Sequence, residues 1–132
     1  MTMTPEQVFS IYEPHLPELR GKTVLEISAP AQRLNAHFTA RGASVTAMAD
    51  ISRPHFGEFD IVVWNGMRPH HASQGAFDRL CKAAKSVAYV TTEADLPDMH
   101  TQAVWAMLRD AGFEQVDLVT ADDRRAFWAA YV

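Results

Sequence analysis

The chain is short of cysteine, of long apolar runs and of excess positive charge, and each shortage removes a class of function. Cys81 is the one cysteine in 132 residues, so no intramolecular disulfide can form. Within FDRLCKAAK that thiol reads as a small apolar side chain on a helix. No apolar run reaches the roughly 18 residues a membrane helix needs, so no membrane partner is expected. The opening MTMTPEQVFSIYEPHLPELR lacks the charged start and apolar stretch of a signal peptide. A cytoplasmic location, or a place in an intracellular assembly, is therefore expected. The net charge is −4 and the basic residues are scattered, without the stripe that follows a phosphate backbone. No nucleic-acid partner is expected.

What the chain does have is an ordinary globular balance, 48% apolar and 21% charged, in a length that suits one domain over residues 1–132. Thr4, Pro5 and Gln7 form a helix start, with a capping residue, proline at the first position and an amide three residues on. The helix predicted over 4–13 has Val8, Phe9, Ile11 and Tyr12 on its apolar side, and Pro14 and Pro17 end it. A buried-type strand follows at 23–27. AQRLNAHFTARG reads as a helix closed by Gly42, and ASVTAM as a second strand. FDIVVWN is apolar on both faces, which predicts a central strand. SQGAFDRLCKAAK is a helix, SVAYVTTE a strand, and DMHTQAVWAMLRDAG a helix capped by Asp98. Its stripe is Val104, Met107, Leu108 and Ala111. FEQVDLVT and AFWAAYV flank the short turn ADDRR, as in a hairpin. Strands alternating with helices predict an α/β fold: a doubly wound, mostly parallel sheet of six strands with a C-terminal antiparallel hairpin.

In this order the segments resemble the class I S-adenosylmethionine-dependent methyltransferases over nearly all of residues 20–132. GKTVLEIS, LNAHFTARGASVTAMADIS, FDIVVWNGMRPHH and AGFEQVDLV with AFWAAYV are similar to that family's opening strand, first helix and second strand, fourth strand and closing hairpin. The family's third strand and its helix have no counterpart in the short ISRPHFGE. The second strand, 44–48, is thereby expected to form an open edge that invites a protein partner or self-association.

The resemblance implies an acidic residue before a glycine-rich cofactor loop. Glu26 matches the acid. Ser28, Ala29, Pro30, Ala31 and Gln32 follow it with no glycine, and Pro30 also lacks an N–H donor. The family's ribose-binding acid falls at Ala49, with Asp50 one residue late. Asp50 reads either as that acid behind a bulge or as a turn residue. Asn65, Gly66, His70 and His71 follow the next strand at its carboxyl end, where ligands bind in open α/β sheets. The histidine pair reads as a methyl-transfer base or as part of a solvated loop. His55, His70, His71 and His100 have no metal-ligand spacing, and no metal site or catalytic residue is assigned. Trp64, Trp105 and Trp128 read as core or cleft-lining residues.

Three functions remain, one of them a sensor that holds another small molecule in the same cleft, and two lead. The first is a catalytically degenerate methyltransferase-like domain with no cofactor, acting through protein contacts as a pseudoenzyme partner or structural component. The alternative is an active small methyltransferase that binds S-adenosylmethionine through Glu26, Ser28, Ala29, Asp50, Asn65 and Gly66.

Overall fold

The computed structural model describes residues 3–49, 57–67, 73–93, 101–122 and 124–132. Thr4 caps the first helix, α1 (Pro5–Tyr12): its hydroxyl accepts from Gln7 N–H while the Gln7 side chain accepts from Thr4 N–H. Two orphan donors are thus satisfied reciprocally. A single 3-10 turn, Glu13–His15, takes the chain past Pro14 toward the first strand.

The strands are β1 (Thr23–Ile27), β2 (Ser44–Met48), β3 (Phe59–Met67), β4 (Ala84–Glu93), β5 (Gln115–Ala121) and β6 (Arg125–Tyr131). They form one sheet in the order β2-β1-β3-β4-β6-β5. β1 pairs in parallel with β2 and β3, β3 pairs in parallel with β4, and β6 is antiparallel to both β4 and β5. The expected α/β architecture, with six strands and a terminal hairpin, is what the chain adopts. The apolar strand 59–67 lies inside the sheet between β1 and β4, and β2 lies at one end of it.

Three further helices cover the faces: α2 (Asn35–Ala40), α3 (Gln74–Ala83) and α4 (Thr101–Ala111). Side chains alternate along each strand, so the sheet has two cores. On one face Leu25, Ile27, Val62, Trp64, Val90 and Trp128 pack with Phe77 and Leu80 of α3 and with Val104 and Leu108 of α4. On the other, Val24, Ile61, Val63, Tyr89 and Phe127 pack with Val8, Phe9 and Tyr12 of α1 and with Phe38 of α2. Phe9 also stacks on the His37 ring at 5.0 Å.

One tryptophan departs from expectation. Trp64 and Trp128 are buried, but Trp105 is 45% exposed. Val104 and Leu108 take the inward side of α4, which turns position 105 outward. The Arg109 guanidinium lies 5.8 Å from the Trp105 ring centre. The residues Asp50, His55, His70, His71, Asp98 and His100 lie outside the described set. Among the described residues no helix is long and apolar enough to cross a membrane.

Candidate functional site at the carboxyl end of β1

The strand TVLEI ends by presenting Glu26 on the α1/α2 face, with its side chain fully buried. Glu26 lies in register between Ala47 of β2 and Val63 of β3. The chain then leaves β1 through Ser28, whose N–H still donates to Met48 C=O at 3.0 Å. Pro30–Gln32 form a short 3-10 turn, and Leu34 begins the approach to α2. Glu26 Oε2 accepts from Leu34 N–H at 2.5 Å, so the acid ties both ends of the loop together.

Burial raises the Glu26 carboxyl above the ordinary glutamate range, and it is the largest influence. The Leu34 N–H opposes it, followed by the Ser28 hydroxyl, the Arg33 charge and the Asn35 N–H. Glu26 Oε1, Ser28 Oγ and Arg33 Nε are all enclosed and none has a partner in hydrogen-bond geometry, the Ser28 hydroxyl lying beside the Glu26 carboxyl without closing a bond to it. Buried polar groups are normally paired, so such a group calls for an explanation.

β3 supplies the neighbouring wall. Asn65, 5% exposed, donates through Nδ2 to the Gln32 C=O at 2.8 Å and clamps the loop to the head of β3. Asn65 is in register with Thr91 of β4, and Tyr12 of α1 bonds to that threonine. Gly66 follows in a register shift of β3, with φ +86. The Gln32 side chain packs over it: a Cβ at Gly66 would lie 2.5 Å from Gln32 Oε1.

Gly66→Ala is therefore expected to destabilise the fold by about 1–2 kcal/mol from the positive φ, and to push the Gln32 amide out of its place. Gly21→Ala is the control, because Gly21 has φ +77 and nothing within 4 Å of the added Cβ. Thermal unfolding should show Gly66→Ala at least as destabilised as Gly21→Ala. A Gly66→Ala melt at the wild-type temperature would remove the conformational argument.

Of the sequence candidates, Glu26, Ser28, Asn65 and Gly66 come together around the loop. Ala29 belongs to it but is exposed, and Asp50 lies outside the described residues. Gln32, as the peptide clamped by Asn65 and the side chain over Gly66, and Arg33, as a half-buried cation with its Nε enclosed, were not foreseen as site residues. The one sequence signal for them was polar residues standing where the resemblance calls for glycine.

No protein-family model matches the chain, and no curated protein matches it. Solved structures do. A magnesium protoporphyrin IX methyltransferase from Synechocystis PCC 6803, with bound S-adenosylmethionine, has TM-score 0.70 at 13% identity, covering 94% of this chain and 75% of its own. An S-adenosylmethionine-dependent methyltransferase from Mesorhizobium loti has TM-score 0.74 at 12% identity, covering 94% and 97%. A 1,6-didemethyltoxoflavin-N1-methyltransferase from Burkholderia thailandensis, with bound 1,6-didemethyltoxoflavin and S-adenosylhomocysteine, has TM-score 0.67 at 20% identity, covering 96% and 77%. The chain has the class I methyltransferase-like fold.

The Synechocystis and Burkholderia structures hold S-adenosylmethionine or S-adenosylhomocysteine, and they overturn the expectation of no cofactor by pointing to that one instead. The expectation failed for a local reason. It rested on the absent glycines and the N–H that Pro30 lacks, but the loop follows a path open to residues with side chains: Ala29, Arg33 and Leu34 have φ −62, −68 and −101. Residues with side chains adopt those values without strain.

Proposed function

We propose that the chain binds S-adenosylmethionine at the carboxyl ends of β1 and β3 and works as a small methyltransferase. The observation that carries this reading is the set of enclosed, unpartnered polar atoms at the head of β1: Glu26 Oε1, Ser28 Oγ and Arg33 Nε. A buried carboxylate with a free oxygen costs stability unless something pairs with it. The cofactor's amino-acid end carries both the ammonium that such a carboxylate accepts and the carboxylate that such a guanidinium holds. When bound, the group supplies a methyl on a sulfonium, which a nucleophile can take. Glu26 would fix the loop through Leu34 and face the ligand with its other oxygen, and Asn65 would keep the loop against β3. Described side chains supply binding and orientation here, and no general base is assigned among them.

The test is thermal unfolding with millimolar S-adenosylhomocysteine. At about 100 times its Kd a ligand adds about 2.7 kcal/mol, or on the order of 10 °C for a domain of this size. An upward shift of that kind supports the reading, and an unchanged Tm at every concentration overturns it. Transfer of a labelled methyl from S-adenosylmethionine to an acceptor in a cell extract then tests activity.

A second reading is favoured by the position of β2. The strand Ser44–Met48 ends the strand order and, among the described residues, pairs with β1 alone. In this reading the domain is catalytically idle and acts through a protein partner or a second copy bound along 44–48, as an edge strand's free N–H and C=O groups allow. Val45 packs partly against the core, so a charge there would also disturb the fold. Thr46 is exposed, which makes Thr46→Lys the cleaner probe. An edge-paired dimer should fall to monomer mass in light scattering on Thr46→Lys, and a mass that does not change removes self-association through this edge.

A further inference from the structure

Five enclosed side-chain atoms among the described residues make no hydrogen bond, and three of them fall between positions 26 and 33. The other two, Arg79 Nε and Trp128 Nε1, belong to α3 and to the core on the α3/α4 face. The three in the loop are chemically complementary. Glu26 Oε1 is an anionic acceptor, the Ser28 hydroxyl both donates and accepts, and Arg33 Nε is a cationic donor.

Glu26 and Arg33 influence one another electrostatically, yet they form no ion pair. The ion pairs among the described residues are Arg41–Glu13 and Arg125–Glu93. Glu26 is fully buried, and a buried charge with an opposite charge nearby usually closes the gap, because leaving it unpaired is expensive. Here the loop prevents it. Glu26 commits Oε2 to Leu34 N–H, and the 3-10 turn at Pro30–Gln32 together with the Asn65–Gln32 clamp sets the backbone that carries Arg33. The result is a separated anion and cation held by one short loop.

We propose that Arg33 is a specificity-determining residue that holds the α-carboxylate of the ligand, while Glu26 and Ser28 hold its α-ammonium. The loop thus selects thionucleosides that carry a free amino-acid end. This rests on the cofactor reading above and extends it. Side-chain charges do the work that backbone N–H groups do in a glycine-rich loop, which accounts for a loop with no glycine and with Pro30, a residue lacking an N–H. Arg33 is half-buried, and its planar guanidinium matches a carboxylate through two parallel hydrogen bonds. Its contribution should therefore follow the ligand's carboxylate.

The test compares two probes by isothermal titration calorimetry. S-adenosylhomocysteine carries the amino-acid end, and methylthioadenosine keeps the nucleoside and a neutral sulfur without it. The wild-type protein should bind S-adenosylhomocysteine at least 10-fold more tightly than methylthioadenosine. Arg33→Met should weaken S-adenosylhomocysteine by about 10- to 100-fold, the scale of a hydrogen bond to a charged group, and leave methylthioadenosine unchanged. Arg33→Lys keeps the charge without the fork, so it should restore part of the preference and serves as the folding control. Equal weakening of both probes by Arg33→Met would make Arg33 a structural residue and overturn the proposal while leaving the cofactor reading intact. Failure of the wild-type protein to bind either probe would overturn the cofactor reading and this proposal with it.

Discussion

Tyr12→Ala is expected to cost about 4 kcal/mol or more and to lower the Tm by roughly 15 °C. The ring is buried, 5.2 Å from the Tyr89 ring and 5.8 Å from that of Phe127, so its removal opens a cavity between α1 and the sheet. Its hydroxyl lies 2.6 Å from Thr91 Oγ1, and Thr91 is 1% exposed. Truncation therefore leaves a second buried polar group unpaired, which adds about 1–3 kcal/mol. Burial, opposed by the Thr91 bond, lifts the phenol above its ordinary range, so the hydroxyl stays neutral. Tyr12→Phe separates the two contributions: it keeps the ring and should cost about 1–3 kcal/mol. Adding Thr91→Val should recover most of that loss, because removing both partners of a buried hydrogen bond is nearly neutral. Denaturant unfolding of the four proteins closes the cycle. A Tyr12→Ala protein within about 1 kcal/mol of wild type would show that α1 merely lies on the sheet.

The N-terminal helix that carries Tyr12 was legible from four residues, Thr4 to Gln7, because a capping box is a local device. β1 was legible to the residue, since TVLEI is apolar almost throughout and Gly21 precedes it by two positions. The carboxyl ends of the strands were less legible, and that is where the candidate site lies. The sequence predicts a helix that includes Ala31 and Gln32, yet the chain makes a 3-10 turn at Pro30–Gln32 and starts α2 at Asn35. The cause is a tertiary contact, Glu26 capturing the Leu34 N–H, that no local pattern encodes. The third strand, read over 59–65, runs on through Gly66 to Met67. Gly66 looks like a loop signal and instead provides the positive φ of an irregularity within the strand. Asn65, read as the strand's last residue, lies two residues before its end, and its role as a clamp on Gln32 depends on a contact between residues 33 positions apart. Sequence thus pointed to Glu26, Ser28, Asn65 and Gly66, which the fold gathers at the candidate site. It missed Gln32 and Arg33, whose meaning comes from the path of the loop.

Glu26→Gln is expected to stabilise the unliganded protein and to weaken S-adenosylhomocysteine binding by about 10- to 100-fold. Both effects have one origin. The carboxyl is buried with one oxygen paired and one not, and burial outweighs the Leu34, Ser28, Arg33 and Asn35 interactions, so its pKa is raised on folding. A carboxyl whose folded pKa exceeds its unfolded one binds its proton more tightly in the folded state. Its ionised form thus lowers stability at pH values above the folded pKa. That deficit shrinks as pH falls through the folded pKa toward the unfolded one and is gone below it. Glutamine is neutral, keeps an oxygen for the Leu34 N–H, and removes the deficit at every pH. The Glu26→Gln protein should melt on the order of 2–5 °C above wild type at pH 8. The gap should close as the buffer is taken down toward the ordinary glutamate range. A lower melting temperature for Glu26→Gln at pH 8 would mean that the Arg33 attraction outweighs desolvation, which would sink the idea of an uncompensated charge. Stability gained with binding lost is the signature of a site that keeps such a charge for its ligand. If the substitution raises the Tm and leaves S-adenosylhomocysteine affinity untouched, the charge at the head of β1 serves no ligand of this kind.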